Sequence, residues 1–277
     1  MGPEVSFGQL RGHFRAGGAG LLHPFGPSHP ERGAHHPQSR GRGADPGRHL
    51  YLLPRGGSEG GKPLLRYALF DLDETLYPKD SGLMREIRRR MSLFMEERLG
   101  LEPELISRLR RQYYQRYGTT MRGLMIHHGV APEEFLAYVH DIPLEEYLGP
   151  DGALDAVLGK IELEKVIFTN ASAEHARRVL GILGVERHFG RIIDVRTLDY
   201  VAKPDPLAYR RALDILGAEG RECLIVDDSL RNLAPAKELG MVTVLVGGEP
   251  GEGADFAIAQ VTEIGRIVRH LLGGENG

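Results

Sequence analysis

The sequence predicts an α/β fold: a Rossmann-like parallel sheet with helices on both faces, interrupted by an inserted helical segment. Short apolar runs that end in polar clusters recur at "YALFDLD", "KVIFTNAS", "GRIIDV", "ECLIVDDS" and "MVTVLVGG". Between the later runs lie stretches of helical period, "EHARRVLGILG", "DPLAYRRALDILG" and "LRNLAPAKELG", each closing near a glycine. Strands alternating with helices imply crossover connections, and hence parallel strands covered on both faces. The third observation is an exception to the alternation. Residues 80–159 hold successive helical stretches broken by Gly and Pro, and no strand pattern.

Taken in order, the first 62 residues carry 15 of the 37 glycines, 7 of the 17 prolines and 6 of the 12 histidines, without a hydrophobic period. Such a segment buries too little apolar surface to offset its ordering entropy. It is expected to be a disordered or artefactual extension, with His13, His23, His29, His35, His36 and His49 solvated. Residues 63–79 and 160–277 are expected to form the α/β core, and 80–159 an inserted helical segment. "ADFAIAQVTEIGRIVRHLLGG" suits a short strand and a final amphipathic helix. The helix "LMREIRRRMSLFMEERLG" pairs an apolar stripe with a basic face, which suits packing within the cap.

A net charge of −3 argues against a nucleic-acid polymer or a membrane surface as partner. No apolar run approaches the roughly 18–20 residues of a membrane span. The single cysteine, Cys223, excludes an intramolecular disulfide and reads as a small buried apolar residue, so a soluble cytoplasmic protein, monomer or homodimer, is expected.

The chemistry concentrates at the strand ends. Asp71 and Asp73, two apart after an apolar run, repel one another unless a cation or a shared proton compensates. Asp71, Thr169 and Asp227 each end a predicted strand, where parallel sheets gather their functional groups. Mg²⁺ takes oxygen ligands and commonly combines one or two carboxylates with a substrate phosphate. Asp71, Asp73, Asp227 and Asp228 are therefore the candidate metal ligands. Lys203 is a candidate point charge for phosphate. Thr169 and Asn170 would donate to the anion at the start of the following helix.

These blocks, Asp71-Leu-Asp73-Glu-Thr75, Thr169, Lys203 and Asp227-Asp228, resemble in order the haloacid dehalogenase-like superfamily of phosphatases. The resemblance covers about residues 64–277 and implies a mobile cap after the first strand. It implies that Asp71 is a nucleophile forming an aspartyl-phosphate, and that Asp73 protonates the leaving oxygen and then activates water. It further implies that Thr75 orients Asp73 and that Asp228 binds Mg²⁺ directly, with Asp227 direct or through water. Asn232 is neutral where the family often places an acid. Ser229 reads as a helix N-cap.

The presence of Asp73 argues against dehalogenation, and the absence of lysine from 80–159 against phosphonate cleavage. "YGTTMRGLM", "APEEFLAYVHDIP" and "LEEYLGPD" look like the pyrimidine 5′-nucleotidase branch, which implies nucleoside monophosphates such as UMP and CMP as substrates. Tyr117, Thr119, Arg122, His140 and Asp141 are the cap candidates for contacting base or ribose. His127 and His128 read as helix surface. The alternatives are a phosphatase for sugar phosphates or phosphoglycolate, a phosphomutase, or a non-catalytic binding protein, which would be expected to lose Asp71, Asp73 or Lys203.

Overall fold

The computed structural model describes residues 65–248 and 253–273, so the expected extension over residues 1–62 and its histidines lie outside the described residues. Six strands form one sheet in the order β3-β2-β1-β4-β5-β6, every neighbouring pair parallel. They are β1 (Tyr67–Phe70), β2 (Glu164–Phe168), β3 (Phe189–Ile193), β4 (Cys223–Asp227), β5 (Val242–Val246) and β6 (Phe256–Ile258). β1 lies between β2 and β4, so the chain leaves it first to one side and later to the other. The carboxyl ends of the strands open a crevice at that reversal.

Residues of β1, β4 and β5 are buried on both faces, which explains why they read as continuous apolar runs. Ala68, Phe70, Leu224 and Val226 pack on one face with α6 (Ala173–Leu183) and α9 (Ile264–Leu272). Tyr67, Leu69, Ile225 and Phe168 pack on the other with α7 (Pro206–Leu216) and α8 (Leu230–Glu238). Cys223 is buried there, and burial pushes its thiol up to about 12, as suits an inert core residue.

The strandless segment holds α1 (Leu83–Leu99), α2 (Pro103–Tyr117), α3 (Thr120–His128), α4 (Pro132–His140) and α5 (Gly152–Leu158). α1 to α4 surround their own core, where Phe94 meets Phe135 and Tyr138 edge to face at 5.2 and 5.4 Å. α2 and α3 pack closely because Gly123 lies against the Tyr113 ring, and a Cβ there would fall 2.1 Å from it. α5 and the start of α1 differ: Leu154, Leu158, Leu83 and Ile87 share the core of Ala68 and Phe70. The segment expected to be one unit over 80–159 therefore contains two packing environments. Among the described residues no helix is long and apolar enough to cross a membrane.

Candidate active site

The β-ladder continues one residue past the strands, with Asp71 N–H donating to Val226 O at 2.9 Å and Thr169 N–H to Ile193 O at 3.1 Å. This fixes Asp71, Thr169 and Asp227 side by side on the sheet edge. Lys203 comes from the loop before α7, whose entry Asp205 caps by accepting from Leu207 N–H. Its Nζ lies 2.9 Å from Asp71 Oδ1 and 2.7 Å from Asp227 Oδ2, with the Phe168 ring beneath at 5.1 Å. Burial lowers the ammonium pKa, but Asp227 and Asp71 outweigh it and hold it raised.

Two carboxylates share that lysine, and a third acid stands beside them. Asp71, Asp227 and Asp228 each bring an oxygen to within 4.8 Å of the others. Burial pushes the Asp71 carboxyl up to about 8; Lys203 opposes the shift, and the charges of Asp227 and Asp73 reinforce it. The site is therefore short of positive charge, and its all-oxygen donor set is the kind that Mg²⁺ takes. Asp228 also pairs with the exposed Lys79 at 2.9 Å.

Asp227 is fully buried and accepts from Ser229 N–H at 2.9 Å and from Asn232 Nδ2 at 3.0 and 3.1 Å. Asn232 thus supports the acid cluster as a neutral donor. Ser229 occupies the N-cap position of α8, but its hydroxyl makes no capping bond. Asn170 grips the backbone of Lys203, accepting from its N–H at 2.8 Å and donating to its carbonyl at 3.1 Å. Its side chain is thereby engaged with protein while the residue also lines the cavity. Thr169 is buried at the cavity floor, its Oγ1 accepting from Ala171 N–H.

Two expectations about the first motif need correction. Asp73 is not part of the acid cluster. Its Oδ1 accepts from Tyr77 Oη at 2.6 Å and lies 3.2 Å from His175 Nε2. Burial raises its pKa, but His175 and Tyr77 outweigh burial and hold it below the ordinary carboxylate range. Thr75 does not orient Asp73; its hydroxyl donates to Asp71 Oδ2 at 3.4 Å. The intervening Glu74 adopts the left-handed conformation at φ 61°, which turns the chain back and aims Thr75 at the first aspartate.

Above this floor lies a cavity of about 1090 Å³. Of the cap candidates, Thr119 and His140 line it. The Thr119 hydroxyl caps α3 by accepting from Arg122 N–H, and the buried His140 stacks on His175 with ring centres 4.1 Å apart. Burial and then His175 push the His140 pKa well below its usual value. Tyr117 and Arg122 instead line a second cavity of about 410 Å³, and Asp141 is exposed and paired with Arg90. The phase of their helices, which rotates each residue by about 100° from the last, carries Tyr117 and Arg122 away from the acids, and Asp141 lies just past the end of α4. His127 and His128 are exposed and hydrogen-bond Tyr117 and Tyr113.

The wall uses other residues. Ser107, Arg110, Arg111 and Tyr114 follow the i, i+3, i+4, i+7 rule of one helix face, as do Met84, Ile87, Arg88 and Met91 on α1. Arg110 donates to Ser92 Oγ at 2.8 Å, while its buried Nε has no partner among the described residues. Gly118, at φ 83°, seats the end of α2 against the Lys203 carbonyl, where a Cβ would fall 2.5 Å away.

A family model described as "haloacid dehalogenase-like hydrolase" matches residues 65–240. The chain belongs to the haloacid dehalogenase-like hydrolases. A HAD phosphatase from Thermococcus onnurineus shares this hydrolase fold, with a TM-score of 0.53 and 21% identity over 77% of this chain and 100% of that one. The chain is 28% identical to Phosphate metabolism protein 8 of Saccharomyces cerevisiae over 201 residues, 66% of this chain and 62% of the relative. It is 36% identical to a phosphoglycolate phosphatase of Rhodospirillum rubrum over 117 residues, covering 40% and 47% of the two chains. This hydrolase thus spans less than two thirds of the length of either curated relative.

Proposed function

We propose that this hydrolase is a magnesium-dependent phosphomonoesterase with Asp71 as its nucleophile. The observation that carries the reading is the convergence of Asp71, Asp227, Asp228 and Lys203 at one sheet edge. An Asp71 oxygen attacks phosphorus, forming an aspartyl-phosphate as the ester P–O bond breaks; the negative charge of the arriving phosphate favours uptake of a proton by Asp73, which gives it to the departing oxygen. Water then attacks the same phosphorus, its proton returns to Asp73, and the Asp71–phosphorus bond breaks. Lys203 neutralises charge on Asp71 and the phosphoryl oxygens. Asp71, Asp227 and Asp228 would hold Mg²⁺, which supplies positive charge to an otherwise anionic centre.

Helices α1 to α4 are proposed as the cap and the sheet with α5 to α9 as the core. For the substrate, we propose nucleoside monophosphates of the UMP and CMP kind. The cavity is large enough for one, and Tyr114, Thr119 and the arginines of α2 offer a stacking ring and donors. A second reading follows from the unpaired Nε of Arg110 beside Arg111: a smaller ester with a second anionic group, such as phosphoglycolate. Phosphate release with and without Mg²⁺ from UMP, CMP, phosphoglycolate and glucose phosphates tests both. Metal-dependent release selective for UMP or CMP supports the first. Selectivity for phosphoglycolate replaces it with the second, and no release from any of them defeats the phosphomonoesterase reading.

A further inference from the structure

His175 is fully buried at the first turn of α6, where its own N–H donates to Ser172 Oγ at 3.3 Å. One ring nitrogen, Nε2, faces Asp73 Oδ1, and the other, Nδ1, is buried without a partner among the described residues. A hydrogen on Nε2 gives the ring its one available bond; a hydrogen on Nδ1 would be buried and unsatisfied, which is costly. With Tyr77 donating to the same oxygen, Oδ1 of Asp73 is occupied by two donors. Oδ2 has no hydrogen-bond partner among the described residues, and Asp73 lines the cavity. The proton of a protonated Asp73 must therefore sit on Oδ2. His140, the last residue of α4, lies flat on the outer face of His175 with an interplanar angle of 15° and fixes the plane of the ring.

We propose that His175, backed by His140, is a positioning residue that aims Oδ2 of Asp73 at the leaving oxygen; this rests on the phosphomonoesterase reading above. In the first half-reaction the Oδ2 proton passes to the ester oxygen as its bond to phosphorus breaks. In the second, Oδ2 takes a proton from the attacking water. Without the hydrogen bond from His175, Tyr77 alone holds Oδ1, and the Asp73 carboxyl gains freedom to rotate about its Cβ–Cγ bond and present its proton off line.

The test compares leaving groups in Mg²⁺-containing buffer. p-Nitrophenyl phosphate releases a stable anion that needs little protonation, whereas an alkyl phosphate needs the acid. The alkyl ester is whichever of UMP, phosphoglycolate and glucose phosphate the wild type turns over fastest. In His175→Leu and His175→Asn, whose side chains put no donor at the Nε2 position, the ratio of alkyl to p-nitrophenyl kcat is expected to fall roughly tenfold or more, part of the roughly 10²–10⁴ that general-acid catalysis contributes. His175→Gln, which restores a donor near that position, is expected to return the ratio to within about threefold of wild type. Equal losses on both esters in folded variants overturn the inference and leave the hydrolase reading standing. Should the Leu variant not fold, the Asn and Gln pair decides alone. Failure of the wild type to release phosphate from any ester overturns both.

Discussion

The floor of the cavity and its wall are built by different rules. On the floor, parallel strands in register deliver Asp71, Thr169 and Asp227 to one edge, and each side chain is held by a buried partner. On the wall, four helices present one face each, and partly exposed arginines, serine and tyrosine stand there among apolar residues such as Met84, Ile87 and Phe135. The difference teaches that strand termini place their side chains without freedom of rotation, whereas a helix face depends on phase, which a single residue of slip reassigns.

The largest effect that would test this division is at the floor. Asp71→Asn is expected to lower turnover at least on the order of 10³-fold, as loss of a covalent nucleophile does, with an unchanged far-UV circular dichroism spectrum. A folded variant of near-normal rate would put the reacting atom elsewhere. Next comes the metal. Chelation should abolish turnover and Mg²⁺ restore it, and saturating Mg²⁺ should raise Tm, since a ligand at about 100 times its Kd stabilises by about 2.7 kcal/mol. Asp228→Ala should remove that shift in Tm; if the shift persists, the ion is held by other groups.

Where floor meets wall, Gly118→Ala places a methyl group against the Lys203 carbonyl in a left-handed conformation. We expect a loss of about 1–3 kcal/mol in denaturant unfolding, the usual cost of overpacking. On the wall itself, Arg110→Ala should raise KM roughly tenfold with a smaller change in kcat, because it removes one charged hydrogen bond of about 1.5–3 kcal/mol. The smallest effects belong to Tyr117→Phe and Arg122→Ala, expected within about 0.5 kcal/mol of wild type in stability, and without effect on KM. A large KM change at either would mean that the second cavity takes part in binding.

The sequence made the floor legible because its signals are local. An apolar run ending in Asp, Thr or Asp-Asp needs only the parallel topology to bring those ends together. The target of Thr75 was not legible, because it depends on the left-handed backbone of Glu74, which no pattern in "DLDET" announces. His175 left a faint signal: it sits on the buried stripe of α6 with Ala176, Val179, Leu180 and Leu183, an odd place for an imidazole without a partner. Tyr117 and Arg122 were attractive by residue type, but their helices turn them from the acids, and Asp141 is exposed beyond the end of α4. Arg110 and Tyr114 lay in the same helix and in the correct phase, a distinction that requires knowing which face meets the sheet edge.

At Gly118 the end of α2 touches the Lys203 backbone so closely that not even a methyl group fits between them. That contact leaves no room for water between the two segments. Elsewhere on the cavity's lining Arg88, Ser107 and Arg111 are exposed. An anion arriving on that side meets guanidinium groups before it reaches the acids within.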